Sequence, residues 1–443
     1  MTPPPDTLDL RPAQTPAKRG GSHRKPRRRS FAATLLGAGL IAIALNLRIG
    51  VASVSPVLSD IRADLGLSTT VASLLTTVPV VAFGAFAFLT PGLTRRLGMH
   101  RLLGVVMVAM TAGLLLRLEP SLSALLGGTV VVGAAIAVAN AVMPAAIKHD
   151  FAHRTSLMMG LYSTALFLGA ALASGLTVPL VSSLGGHWRP ALGIWAIPAV
   201  IALMLWLPQL RRGRTTSGKT GQSDDDAFSE LGEPPFRAIL RDPTAIAVTA
   251  LMGIQSMSYY AVLTWAPTLL QDHGMSAGRA GAMLSFSSFP GILASLVTPA
   301  LAQKLRPTWL PVALSVVLTA VAYLGLGIAP IGGALLWMTL LGLGQGAAIS
   351  LSLTYIVWRS PDTHHTGHVS TMAQGFGYLF AGLGPVGLGA LHTATGGWTV
   401  PLIGLAVLLV FQMISGGLAG RDRHVRARVA GGGGPQTAVR NQP

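Results

Sequence analysis

Twelve times along its 443 residues the sequence stays apolar for about the 20 residues that a helix, rising about 1.5 Å per residue, needs to cross a hydrocarbon layer of about 30 Å. The runs lie near 31–58, 69–91, 101–118, 121–147, 156–182, 188–208, 243–266, 278–302, 308–328, 331–357, 368–391 and 397–419. Lipid offers no partner to a backbone amide, so each run is expected to close its own hydrogen bonds as an α-helix. The expected fold class is an all-α membrane protein of twelve transmembrane helices, and the composition agrees, with 51% hydrophobic and 11% charged residues. The only long polar interruption falls between the sixth and seventh runs. It sets the expected organisation: a disordered basic cytoplasmic tail 1–30, an N-terminal six-helix bundle 31–208, a cytoplasmic linker 209–242, a C-terminal six-helix bundle 243–419 and a disordered cytoplasmic tail 420–443.

Charge gives the orientation. Counted on alternate sides of the runs, 27 of the 32 Lys and Arg residues fall on the side of the tails and linker, and Arg62, Arg117, Arg189 and Arg279 fall on the other. The positive-inside rule then places both termini in the cytoplasm of a bacterial plasma membrane. The N-terminal segment reads as an uncleaved tail, because the apolar run after its basic cluster is full length. The net charge of +17 is thus a topology signal, and nucleic acid is not an expected partner.

Arg48 breaks the pattern, standing near the middle of the first run. A charge at that depth costs roughly 2.5 kcal/mol or more and normally marks a ligand or ion path. All 15 acids lie outside or at the edges of the runs, so no carboxylate is available at the membrane centre to neutralise it. A positive site without a protein counter-ion suits an anion, whose own charge offsets the desolvation of the guanidinium. Asn46 and Arg48 lie about 200° apart on a helical wheel, so only one of them faces a cavity in a regular helix. Arg48 is the expected one, with Asn46 kept among the candidates. Gln255 and Tyr259 sit four residues apart in the seventh run, as do Gln374 and Tyr378 in the eleventh. Together with Asn140 and Tyr162 they are candidate ligand contacts through hydrogen bonds and ring faces, the alternative for each being a tie between helices.

The halves repeat. Thr90-Pro-Gly-Leu93-Thr-Arg95-Arg96-Leu97 returns as Thr298-Pro-Ala-Leu-Ala-Gln-Lys304-Leu305, in the same frame. At this loop the chain resembles the major facilitator superfamily, whose signature it matches through Leu93, Arg96, Gly98 and Arg101, with Arg95 in place of the family's gate aspartate. More narrowly, it resembles the cyanate porter and 2-nitroimidazole transporter branch. That resemblance rests on Asn46-Leu-Arg48, Asn140 with Pro144-Ala-Ala-Ile147-Lys148, Gly160-Leu-Tyr162-Ser163, Gly253-Ile-Gln255-Ser256, and Ser370 to Tyr378 with Gly384-Pro385. It implies two six-helix bundles rocking about a central site, a cytoplasmic gate at Leu93, Arg95, Arg96, Gly98 and Arg101, and a small anion or planar heterocycle as substrate.

Other classes fit less well. There is no cysteine, no GxxxxGK nucleotide loop and no metal or nucleophile set at depth, so neither an enzyme nor an ATP-driven pump is expected, and no cofactor. A proton-coupled drug antiporter of the same superfamily is the main rival, and a transporter-like sensor a remote one. Protons are the candidate coupling ion, without an intramembrane carboxylate to carry them. A periplasm-active reporter fused after Pro443 is expected to be silent and a cytoplasm-active one to be active; the reverse result would invert the orientation.

Overall fold

The computed structural model describes residues 26–67, 69–212, 236–305 and 307–425, so most of the expected tails and linker lie outside the described residues. Every regular element among them is helical. The first bundle holds α1 (Pro26–Ala52), α2 (Thr69–Ala87), α3 (Met99–Leu116), α4 (Leu122–Asp150), α5 (Thr155–Ser183) and α6 (Ala196–Arg212). The second holds α7 (Pro243–Asp272), α8 (Ala277–Lys304), α9 (Leu310–Ile328), α10 (Ala334–Trp358), α11 (Thr363–Ala381) and α12 (Thr399–Ala419). Their starts follow local chemistry. Ser121 Oγ accepts from Ala124 N at 3.1 Å ahead of α4. The Asp242 carboxylate accepts from Thr244 N and Ala245 N ahead of α7, with Pro243 at the position that lacks a needed donor.

Ten described helices are long and apolar enough to cross a membrane. The remaining two apolar runs are covered by broken helices, the first of which forms an eleventh candidate span. The second run turns by 59° between Val78–Ala87 and the short helix Thr90–Leu97. The eleventh ends at Ala381 and resumes beyond Gly382 as Leu383–Thr395. With these broken pairs, all twelve apolar runs are accounted for.

The pairing of helices repeats with a shift of six. Helix α1 packs on α5 and α6 as α7 packs on α11 and α12, α2 packs on α4 as α8 packs on α10, and α3 packs on α4 and α6 as α9 packs on α10 and α12. The bundles meet through α5 with α8 and through α11 with α2 and α4. The repeated loop itself diverges. Thr90–Leu97 is a separate helix closed by Gly98, whose φ of 74° and ψ of 154° favour glycine and whose N–H reaches Thr94 O at 2.8 Å. Its counterpart is the uninterrupted last turn of α8.

Between the bundles the seam is closed at the end bearing the basic loops. Lys148 Nζ donates across it to Val357 O at 3.0 Å and to Ser360 O. Ser163 Oγ lies 3.2 Å from Ser295 O and 3.1 Å from Ser350 Oγ. A Cβ on Gly160 would sit 2.7 Å from Leu296 O, so α5 and α8 touch backbone to backbone here. Towards the other end, Gly175 on α5 and Gly278 and Gly281 on α8 meet nothing within 4 Å.

Inside the first bundle, α5 lies so close to α1 that a Cβ on Gly169 would overlap the Leu45 carbonyl oxygen. Backbone cannot yield as a flexible side chain does, so Gly169→Ala is expected to cost about 1–3 kcal/mol of stability. Gly175→Ala, on the same helix with open space around it, is expected to be neutral or slightly stabilising. Thermal unfolding of the purified variants in one detergent checks the pair; equal melting temperatures would disprove the close approach.

Candidate functional site

Helix α1 carries Arg48 past the middle of its apolar stretch, and its Nη1 donates to Tyr260 Oη at 2.7 Å. This bond joins the bundles at membrane depth. The guanidinium carbon lies 5.9 Å from the centre of the same ring. Arg48 stays partly exposed between Leu47 and Ile49, which are buried, so the side chain faces an opening and its neighbours face protein. Tyr260, Tyr378, Tyr259 and Tyr162 stand within electrostatic reach of it, and among the described residues no carboxylate joins them.

Aromatic rings wall this charge on several sides. Tyr259 and Tyr260 lie 5.4 Å apart at 77°, Tyr260 and Tyr378 lie 6.4 Å apart at 66°, and Phe83 meets Tyr378 at 5.5 Å and 64°. Phe167 closes on Tyr259 at 6.1 Å and 90°. Edge-to-face contact of this kind is the favourable arrangement for such rings, and it leaves ring faces and edges to border a flat ligand. Five helices of the two bundles, α1, α2, α5, α7 and α11, therefore supply one cluster.

A polar group borders it. Tyr162 Oη donates to Asn140 Oδ1 at 3.1 Å, and Gln374 Nε2 donates to Asn140 O at 2.5 Å and to Ser370 Oγ at 3.0 Å. Tyr162 stands within electrostatic reach of both Tyr378 and Arg48. Gln255 is buried, with Nε2 donating to Ser256 Oγ at 2.7 Å. The acceptor oxygens of Gln255 and Gln374 are both buried without a partner. An unmade hydrogen bond at such an atom costs about 1–3 kcal/mol, which a ligand N–H or a water can recover. At the start of α11, Asp362 caps the helix by accepting from His365 N at 2.9 Å and from His365 Nδ1 at 2.5 Å. Burial works to raise the Asp362 carboxyl, but the hydrogen bonds from the His365 ring and backbone and the charges of His365 and His364 outweigh it and hold it below the ordinary carboxylate value.

Of the residues expected from sequence, the structure gathers Arg48, Tyr259 and Tyr378, sets Tyr162, Asn140 and Gln374 beside them, and leaves Gln255 one turn from Tyr259. Asn46 is a correction. It points away from Arg48 and its Nδ2 donates to Ala42 O at 2.9 Å and Pro198 O at 3.0 Å, tying α1 to α6 as the angle between the two side chains requires. Sequence reasoning passed over Tyr260, Phe83 and Phe167. Tyr260 carries the same signal as Tyr259, since it stands four residues from Ser256, while the two phenylalanines are indistinguishable by type from core residues. Arg117, counted on the side opposite the tails, is 1% exposed and donates to Gly50 O at 2.8 Å. Trp265 donates to Pro385 O at 2.7 Å and ties α7 to the helix Leu383–Thr395. In the loop that carries the family motif, Leu93 packs on the core, while Arg95, Arg96 and Arg101 are exposed.

Comparison with known proteins bears on the family and the fold. A family model described as Major Facilitator Superfamily matches residues 34–385. The 2-nitroimidazole transporter of Escherichia coli (strain K12) is 36% identical over 392 residues, covering 88% of this chain and 97% of that protein. The cyanate transport protein CynX of the same organism is 31% identical over 376 residues, covering 85% and 94%. Among solved structures, that of the proton:xylose symporter XylE bound to 6-bromo-6-deoxy-D-glucose superposes with a TM-score of 0.68 at 15% identity, over 88% of this chain and 95% of that one, which speaks for the fold. Paired six-helix bundles, the match along most of the chain and two transporter relatives sharing about a third of its residues make one statement: the chain belongs to the major facilitator superfamily, and it is a membrane transporter, not an enzyme.

Proposed function

We propose that the chain is a secondary active transporter of a small planar anion or heterocycle, of the kind named in its cyanate and 2-nitroimidazole relatives, and that Arg48 is the ligand's partner. The observation that carries this reading is the Arg48 to Tyr260 bond of 2.7 Å, made between the bundles with no carboxylate in reach. A guanidinium so placed keeps donors for oxygens or ring nitrogens in pairs. An incoming anion supplies the missing counter-charge, where a cation would add to an uncompensated one. The tyrosine and phenylalanine rings fit a flat ligand, and the open acceptors of Gln255 and Gln374 fit one bearing an N–H.

The same reading supplies a cycle. The bundles, 31–208 and 243–419, rock about the central site. In the present conformation the basic face is shut by Lys148, the serine contacts and the α5–α8 crossing; from the charge count we assign that face to the cytoplasm. Opening it breaks the Lys148 bonds. A cavity of about 450 Å³, lined in part by Lys148, His153, Arg154 and His424, already lies on this face at the junction.

Two experiments test the reading. Arg48→Lys is expected to insert normally but to bind cyanate or 2-nitroimidazole at least tenfold more weakly, about 1.4 kcal/mol, because lysine is a point charge without the planar fork. Arg48→Ala should abolish binding, and unchanged affinity in that variant would make the arginine structural. For the cycle, Ser163→Cys places a thiol at the closed seam of a chain that has no other cysteine. In that background Lys148→Met is expected to speed labelling by a membrane-impermeant maleimide from the basic face several-fold; an unchanged rate would show that Lys148 does not hold the seam.

A further inference from the structure

A second cluster stands well away from Arg48, at the basic face of the first bundle. The Asp150 carboxylate, at the last residue of α4, lies between two imidazoles: Oδ2 is 2.9 Å from His100 Nε2 and Oδ1 is 2.8 Å from His149 Nδ1. The three potential donor atoms all fall within 4.8 Å of one another. They come from different places in the chain, His100 from the first turn of α3 and the other two from the end of α4, so the fold assembles them.

Their support is built in. The His100 ring stacks on Trp206 of α6 at 5.9 Å and 14°, and Trp206 Nε1 donates to His100 O at 2.8 Å, which fixes the turn that presents the imidazole. The Asp150 side chain is 8% exposed and that of His149 is 45% exposed, so one side is anchored in protein and the other is open to water. Two nitrogens and one carboxylate oxygen are the donor set of a three-ligand zinc site, with water in the fourth place. Hard cations such as magnesium and calcium prefer all-oxygen shells, so the nitrogens select against them.

We propose that His100, His149 and Asp150 form a binding site for a divalent transition metal of the zinc type. The ion takes the place of the hydrogens that now bridge the imidazoles to the carboxylate, and both ring nitrogens ligate as neutral imidazole. Bound there, it links the first turn of α3 to the last turn of α4, two residues beyond Lys148. That lysine bonds to the other bundle, so the ion stiffens the part of α4 that closes the basic face.

The test uses full-length protein without a polyhistidine tag, in detergent, with Zn²⁺ alone as the probe. Equilibrium dialysis is expected to give saturable binding of one ion tied to this site, and His100→Ala and His149→Ala should each weaken it at least tenfold while His187→Ala leaves it unchanged. Co²⁺ on the unmodified protein gives a readout that needs no variant: an intense visible absorption of tetrahedral type, abolished by competing Zn²⁺. Absence of saturable binding, or undiminished affinity in both variants, would leave the cluster as a hydrogen-bonded network and overturn the proposal.

Discussion

One guanidinium, held at membrane depth with tyrosine hydroxyls for company and no carboxylate, sets the terms for the rest of this structure. A charge there is tolerated only where water, protein dipoles or a ligand replace its hydration. Arg48 meets that condition by standing where the two bundles meet, partly exposed, with Tyr260 of the opposite bundle accepting its hydrogen bond at 2.7 Å. A carboxylate in place of that hydroxyl would bind the arginine more tightly and would also fill the site with its own counter-ion. A phenol is a weaker competitor, which leaves the positive charge available.

Around this point the helices are drawn together by small residues. Gly169 lets α5 ride on the backbone of α1, and Gly160 lets it touch α8, so one helix serves both the interior of its bundle and the seam. Without a hydrophobic drive between helices in lipid, close packing and interhelical hydrogen bonds carry the association. Ser163, Thr164, Ser295 and Ser350 supply such bonds at the place where α5 approaches α8. The twofold repeat then positions α7 and α11 relative to α1 and α5, which is how Tyr260 and Tyr378 come to face Arg48 from the second half of the chain.

How far this was legible in the sequence depended on the kind of signal. Apolar length gives the helices, and the isolated charge gives Arg48, because lipid penalises exceptions so heavily that they stand out. The broken helices were legible as apolar runs but not as bends, since apolar length alone carries no mark of the 59° turn between Val78–Ala87 and Thr90–Leu97. Spacing by four found Tyr259 and Tyr378. It did not rank Tyr260 above its neighbour, because the rotation of α7 about its own axis is fixed by packing against α11 and α12. Phe83 and Phe167 carry no mark that separates a ring beside a ligand site from a ring in a core. The burial of Arg117 was not legible either. It follows the end of α3 in sequence, yet it turns inward under α1 to reach Gly50 O, a choice set by the space that Gly128 leaves beside it.

The bond that closes the basic face has an uneven chemistry. Lys148 is the donor, both acceptors, Val357 O and Ser360 O, are main-chain carbonyls, and the Asp362 carboxylate of the second bundle stands within electrostatic reach of the lysine. Parting them returns an ammonium and two carbonyls to water. The arrangement also frees one partner from sequence: substitution at 357 or 360 that preserves the backbone preserves the acceptors. The acceptors are thus indifferent to the side chains at 357 and 360, whereas the donor depends wholly on the lysine.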